Sequence, residues 1–416
     1  MSDRRRGAGE RSDQAIQAEV ALAPTAMAAG GAALAREPGG RVVFVEGALP
    51  GERVLARITD SRRDFARAVT LDVLDPSPDR VAPPCPALAA GCGGCTWQYV
   101  SAEAQARLKA EIVGDALRRI GRLADPPEPG HRPLGGPALR TTARLAVSPA
   151  GRAGHRPRTG SGAVETDTCL VAHPLLEELI VDGRYPGAGE VLLRVAVATG
   201  ERIVVVDRNR DRVRVPAGVR VLDKAHGRRA FVHETVAGRR FRVAPASFFQ
   251  PGPVAAEALA AAVADAAGDA LPEAGTLVDA YAGVGLFGSV LGATRRARVV
   301  AVESDPAAVA DARVNLADLD ADVVAAEVGR WRPCPADLVV ADPSRSGLGR
   351  PGVAAVVATG ARRLVLVSCD PASLGRDTAL LAGAGYRLVT VDLVDAFPHT
   401  FHVEAVARFD RSERLA

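Results

Sequence analysis

Thr276-Leu277-Val278-Asp279-Ala280-Tyr281-Ala282-Gly283-Val284-Gly285-Leu286 is the stretch on which the fold turns. Its first half is a short apolar run of the kind buried in a parallel sheet; its second half is a glycine turn, and Leu286 to Leu291 continues with helical character. Glycines at 283 and 285 let the backbone come close to a ligand. A second buried-strand pattern, Arg298-Val299-Val300-Ala301-Val302, ends at Glu303, where a carboxylate can accept both hydroxyls of a ribose. Strand, glycine turn, helix, strand and acidic end together read as a nucleoside-binding unit. The letters Gly283-x-Gly285-x-x-Gly288 also match the dinucleotide pattern, so NAD is the rival ligand at this point.

Towards the carboxyl terminus, strand patterns keep alternating with alanine-rich helical ones, which predicts a doubly wound α/β domain over residues 242–416. The apolar run Arg363-Leu364-Val365-Leu366-Val367 leads into Ser368-Cys369-Asp370-Pro371, a thiol nucleophile at the carboxyl end of a strand. Asp342-Pro343-Ser344-Arg345 lies upstream of it, and Phe397-Pro398-His399-Thr400 followed by Glu404 lies downstream; Glu404 is the candidate base. A thiol and a carboxylate suit group transfer and add nothing to hydride transfer, which argues against NAD. Cys369 is expected where nearby dipoles or cations favour its ionised form. His399 and His402 are left without a role.

Towards the amino terminus, Cys85-x6-Cys92-Gly93-Gly94-Cys95 packs three thiols around a tight turn, a metal signature. Cys169, in Thr166-Asp167-Thr168-Cys169 before His173-Pro174, is the candidate fourth ligand, and four thiolates suit either an iron-sulfur cluster or zinc. Before this loop, Arg41 to Val45, Glu52 to Ile58 and Ala66 to Leu74 alternate with Gly and Pro turns, which predicts a small β-barrel over residues 14–76. Ser101 caps a helix with Leu108, Ile112, Ala116, Leu117 and Ile120 on its apolar stripe. Strand patterns at Ala143 to Val147, Val191 to Val195 and Ile203 to Val206 make residues 77–241 a mostly β central domain carrying the cysteine loop.

Composition sets the frame for these pieces. The 416 residues are 48% hydrophobic and 24% charged, which suits a folded chain of several domains. Gly275 to Thr294 is broken by Asp279 and four glycines, so no membrane span and no membrane partner are expected. Residues 1–13 are Arg- and Gly-rich with little to bury and read as a disordered tail without a signal segment; the expected location is the cytoplasm, where disulfides are disfavoured. A net charge of +3 is too small to demonstrate nucleic-acid binding.

With these residues in place, the chain resembles the S-adenosylmethionine-dependent RNA uracil-5-methyltransferases, in particular the 23S ribosomal RNA branch with a TRAM domain and an iron-sulfur cluster. The resemblance implies an OB-like TRAM barrel at Arg41 to Val54 and a class I, Rossmann-like methyltransferase domain at the carboxyl end. It implies Cys85, Cys92, Cys95 and Cys169 as ligands of a [4Fe-4S] cluster, with zinc as the alternative. Phe248-Phe249-Gln250 is similar to the family's cofactor-contacting segment, so Gln250, Tyr281, Gly283, Glu303 and Asp342 are expected to line the S-adenosylmethionine site. Cys369 is expected to add to carbon 6 of uracil and Glu404 to remove the carbon-5 proton, with Phe249 or Phe397 stacking on the extruded base. An RNA partner is implied, rRNA in preference to tRNA; no protein partner is, and a monomer is expected. The alternatives are a tRNA uracil-5-methyltransferase and a catalytically inert RNA-binding assembly factor. Three departures stand out: a first cysteine gap of six where the family has five, Val328 at a position that can be polar, and no tyrosine in Leu139 to Arg144.

Overall fold

The computed structural model describes residues 18–412 except 135, 137–138 and 228–229, so the tail expected over residues 1–13 lies outside the described residues. Contacts divide the chain into two compact units.

The first unit comprises the described part of Met1–Pro84 with Cys95–Ile112 and His399–His402. Its six-stranded sheet runs in the order Glu19–Leu22, Arg53–Ser61, Phe65–Asp75, Val42–Glu46, Ala33–Arg36, Ala26–Met27. Period-two alternation does what it should here: Val43, Val45, Val54, Ala56, Ile58, Ala66 and Ala68 face one core, completed by Trp97, Tyr99 and Leu108. Trp97 donates its indole N–H to the Gly31 carbonyl at 3.0 Å. Glu52, 2% exposed, accepts from the Leu49 amide at 2.7 Å and from Arg80 Nη2 at 2.8 Å, while the Arg80 guanidinium lies 4.8 Å from the centre of the Tyr99 ring. A buried carboxylate left without that guanidinium would cost about 3–5 kcal/mol, so this pair fixes where the strands hand over to the following linker.

The second unit holds Cys85–Gly94, Val113–Pro398 and the described residues after Val403. A five-stranded sheet is ordered Arg220–Asp223, Arg202–Val206, Glu190–Val195, Thr142–Val147, Ala153–Gly154. An eight-stranded sheet is ordered Ala321–Ala325, Arg298–Glu303, Thr276–Ala280, Leu338–Ala341, Arg363–Ser368, Ala405–Arg411, Tyr386–Val394, Gly130–Arg132. Its first five strands are mutually parallel, and Ala405–Arg411 enters antiparallel between two others. Thr276–Ala280 lies between Arg298–Glu303 and Leu338–Ala341, so chain order reverses at its edge, the place where doubly wound sheets open a crevice. One core joins both sheets, from Ile203 and Val205 through Phe241 and Leu259 to Val340, Val365 and Val406.

Among the described residues no helix is long and apolar enough to cross a membrane; Gly275 to Thr294 instead forms most of a strand, a turn and the helix Leu286–Arg295. Ser101 Oγ accepts the Ala104 amide at 3.3 Å as its cap role requires. Ile120, expected on the apolar stripe, is 38% exposed because the helix ends at Arg119.

Candidate active site

The turn after Thr276–Ala280 passes through left-handed backbone at every second residue: Tyr281 has φ 60°, Gly283 φ 56° and Gly285 φ 85°. A tyrosine in that region is strained by roughly 1 kcal/mol, and such strain persists only where the surroundings enforce it. Two carboxylates do the enforcing. Asp279, fully buried, accepts the Gly288 amide at 2.7 Å, and a Cβ on Gly288 would come 3.0 Å from that same oxygen. Glu303 accepts the Gly283 amide at 2.9 Å with one oxygen and the Ser304 and Asp305 amides, both at 2.7 Å, with the other. Burial first, then Asp342 and Glu303, push the Asp279 carboxyl up to about 8 against the donation from Gly288, so it is a neutral acid at pH 7. Its second oxygen is buried without a hydrogen-bond partner.

The Ala244 to Gln250 segment is bolted from below. Asp311, itself fully buried, accepts the Ala244 amide and the Ser247 hydroxyl, each at 2.7 Å, and Arg194 Nη2 donates to the Ser247 carbonyl at 2.7 Å. Gln250, 5% exposed, thereby reaches Asp342 with its Nε2 at 3.3 Å. Phe249 turns inwards, 9% exposed, against Phe241 with ring centres 6.2 Å apart, so it has no face to offer a base. The stacking role expected of it is corrected: Phe248, 67% exposed, is the aromatic that faces outwards. Phe397 lies 5.8 Å from the Arg140 guanidinium.

Arg363–Ser368 is buried at all six positions and stops at Cys369, because Asp370 caps the next helix by accepting the Ser373 amide at 2.7 Å and Pro371 occupies its first turn. The antiparallel register ends with Ser368 opposite Ala405. Cys369 follows the one strand and Glu404, 4% exposed, precedes the other. Burial is the main reason that the Cys369 thiol is pushed up to about 11; Glu404 and Asp342 raise it further, and Arg345 and its own amide pull the other way. The sequence suggested the reverse, a thiol already favoured as thiolate. Arg345 and the backbone amide do not offset burial beside two carboxyl groups, so the folded chain favours the protonated thiol. Glu404 is raised well above the usual range by burial, then by Asp342, against Arg345. Asp342 is raised by burial against the hydrogen bond from Gln250.

Gln250, Tyr281, Gly283, Glu303, Asp342, Cys369 and Glu404 therefore all belong to the second unit, on or beside the carboxyl ends of its parallel strands. Sequence reading missed Asp279 and Arg345. The signal for Asp279 was a carboxylate inside an otherwise apolar strand; for Arg345 it was membership of a turn whose other end, Asp342, had already been singled out.

A second group of thiols occupies the cysteine loop. Cys85 and Cys169 are buried and Cys92 half-buried, all three in the second unit; Cys95 is buried in the first. Among the described residues no disulfide joins any two cysteines. Burial raises Cys92, and Cys85 adds to it, while the Gly94 amide donates to the Cys92 sulfur at 3.5 Å. Burial also raises Cys169; the Val171 and Ala172 amides oppose this, and the charges of Cys92 and Cys85 add to it. Glu177 holds the Cys169 amide at 2.7 Å, and His155 Nε2 is 3.9 Å from its sulfur. Among the described residues no three His, Cys, Asp or Glu side chains stand in a ready coordination shell. The donor chemistry nevertheless fits a thiolate-bound metal: three sulfurs feel one another's charge, and backbone amides point at two of them.

A parallel sheet with this strand order and a glycine turn closed by an acidic residue on the neighbouring strand define a methyltransferase fold, with a thiol at the end of a further parallel strand. Comparison with known proteins narrows this. The TRAM domain family matches residues 26–71. An uncharacterized RNA methyltransferase of Streptomyces avermitilis is 38% identical over 94% of this chain and 97% of its own. The 23S rRNA (uracil(1939)-C(5))-methyltransferase RlmD of Methylococcus capsulatus is 34% identical over 89% and 93%. Among solved structures, the Pyrococcus abyssi tRNA (uracil-54, C5)-methyltransferase in complex with S-adenosyl-L-homocysteine shares the fold, with a TM-score of 0.69, 22% identity and coverage of 93% of this chain and 100% of that one. The chain belongs to the TRAM-bearing family of RNA methyltransferases, and it is an enzyme of that kind.

Proposed function

We propose that this protein transfers a methyl group from S-adenosylmethionine to carbon 5 of a uridine in RNA, with 23S rRNA as the substrate, by way of a covalent bond from Cys369 to carbon 6. The observation that supports the reading is that Cys369 and Glu404 flank the last pair of two antiparallel strands, Ser368 opposite Ala405, with the carboxyl close enough to raise the thiol. The 34% identity to an enzyme named for rRNA uracil-C5 methylation supports the choice of substrate.

Cys369 gives its proton to solvent, and its sulfur pair bonds to carbon 6, which sends the ring's double-bond electrons to carbon 5 and its conjugated oxygen. S-adenosylmethionine, when bound, supplies the methyl group as a sulfonium electrophile. Glu404 then takes the proton from carbon 5; the electrons of that bond restore the ring double bond, and the Cys369 sulfur leaves with its pair. Glu303 would hold a ribose hydroxyl through the one lone pair its three amide donors leave open, and Gln250, Tyr281, Gly283 and Asp342 would line the rest of the cofactor site. In this reading residues 14–76 form an OB-like TRAM barrel that grips RNA, residues 77–241 the central domain and residues 242–416 the catalytic one. Cys85, Cys92, Cys95 and Cys169 hold a [4Fe-4S] cluster, zinc being the rival metal, and the enzyme works as a cytoplasmic monomer.

The test is incubation with labelled S-adenosylmethionine and separate rRNA and tRNA pools, followed by trapping on 5-fluorouracil-substituted RNA. Label in 23S rRNA and a covalent adduct that Cys369→Ala abolishes are expected. Label confined to tRNA overturns the substrate; an adduct that survives Cys369→Ala overturns the mechanism.

A further inference from the structure

Asn315, 5% exposed, is the last residue of the helix Pro306–Asn315 and leaves none of its side-chain polar groups idle. Its Oδ1 accepts the Arg242 amide at 2.7 Å, and its Nδ2 donates to the Arg242 carbonyl at 3.0 Å and to the Val284 carbonyl at 2.9 Å. Three partners, one donor and two acceptors, fix which end of the side-chain amide is which. Val284 lies between Gly283 and Gly285 in the glycine turn, and Arg242 belongs to the strand Arg239–Val243, from which the chain runs on to Gln250. One turn earlier on the same helix, Asp311 holds the Ala244 amide and the Ser247 hydroxyl, so two side chains of one helix follow that segment outwards. The glycine turn is thus pinned twice by one strand-and-helix unit. Glu303, at the end of the strand Arg298–Glu303, accepts the Gly283 amide at 2.9 Å; Asn315, at the far end of the helix that Asp305 caps, donates to the Val284 carbonyl.

We propose that Asn315 is a positioning residue of the cofactor pocket: by bonding the glycine turn and the Arg242 backbone at once, it fixes the distance between that turn and the segment that carries Gln250. The inference rests on the assignment of Gln250, Gly283 and Glu303 to the S-adenosylmethionine site, made above. A ligand that touches both walls of a crevice binds best when their spacing is set beforehand, since otherwise part of its interaction energy goes into ordering them. Asn315→Ala removes all three bonds. Asn315→Asp separates them: the acceptor for the Arg242 amide stays, while a carboxylate oxygen is set against the Val284 and Arg242 carbonyls, which it cannot bond.

The experiment is calorimetric titration of the full-length protein with S-adenosyl-L-homocysteine, which needs no RNA. Asn315→Ala should weaken binding about three- to thirtyfold, and Asn315→Asp at least as much although it still accepts the Arg242 amide. Val263→Ala, a truncation on the buried face of the helix Pro253–Ala267, is the comparison for lost stability: it should lower the melting temperature while affinity stays within about twofold of the wild type. In turnover on RNA, Asn315→Ala should raise the KM for S-adenosylmethionine by the same factor as the titration shows and leave the KM for RNA as it is, a split that a general weakening of the fold does not give. Unchanged affinity in both Asn315 variants overturns the proposal, and so does an equal loss of affinity in Val263→Ala. A wild-type protein that binds no S-adenosyl-L-homocysteine defeats the cofactor reading and this proposal with it. Failure of label to enter any RNA would defeat the methyl-transfer reading alone and leave the titration to judge Asn315.

Discussion

Cys369 and Cys169 are both thiols whose burial raises their pKa, and the chain offsets that penalty in opposite ways. Around Cys369 the neighbours are ionisable side chains: Glu404 and Asp342 oppose the thiolate and Arg345 favours it. Around Cys169 the relief comes mainly from backbone, the Val171 and Ala172 amides, the opposing charges are other thiols, and His155 is the ionisable side chain at its sulfur, whereas at Cys369 the backbone amide ranks behind Arg345. Amides cannot change their protonation and give a constant field, which suits a sulfur that is to stay a ligand. Side-chain charges respond to pH and to a bound substrate, which suits a sulfur that must form and break a bond. The contrast teaches that a cysteine's work is written in what surrounds it.

Substitutions can break that contrast or sharpen it. The largest effect belongs to Cys369→Ala, which should lower methyl transfer at least roughly a thousandfold in a turnover assay, since no other group supplies the attacking pair. Glu404→Gln should follow, reducing turnover about a hundredfold to ten-thousandfold while a covalent adduct accumulates on ordinary RNA, seen as a shifted band in denaturing gels. If that variant loses turnover without accumulating adduct, Glu404 acts before bond formation and its assignment changes. Cys169→Ser should act on the other region alone: bound iron, or zinc, measured by elemental analysis should fall about ten- to a hundredfold at limiting metal, while alkylation of Cys369 keeps its pH profile. A Cys369 profile altered by Cys169→Ser would erase the distinction between the two thiol environments.

A further effect is thermodynamic rather than kinetic. Asp279 titrates near 8 in the folded chain against 3.8 as its reference, so between those values the folded state keeps a proton that the unfolded chain has released. Stability must therefore fall as pH rises from about 4 to about 8. Asp279→Asn, which can still accept the Gly288 amide, should flatten that slope in thermal melts and be relatively more stable at pH 8 than at pH 5. A slope unchanged in the variant would show that Asp279 is ionised when folded.

Local pattern carried most of the catalytic sheet. Thr276–Ala280, Arg298–Glu303 and Arg363–Ser368 were legible because a strand buried on both faces has little choice but continuous apolar residues. The glycine turn and Glu303 were legible because left-handed backbone and an acidic strand end leave marks in single letters. Gly130–Arg132 was missed: three residues of no strand character join the edge beside Tyr386–Val394, held by Arg132 to Asp392 at 3.0 Å and to Asp265 at 2.6 Å. Phe248 and Phe249 were indistinguishable as neighbouring aromatics until one was buried against Phe241.

The sequence by itself determined the kinds of element, and it singled out Cys369, the candidate acidic residues and the cysteine loop, because these depend on residue type and on spacing along one strand or turn. Tertiary structure alone decided that Glu404 comes close enough to raise the Cys369 thiol, that Asp377 holds the Leu348 and Gly349 amides, and that burial pushes that thiol up. Antiparallel register joins residues distant in the chain, and the balance of burial against charge is a sum over neighbours that no single segment contains.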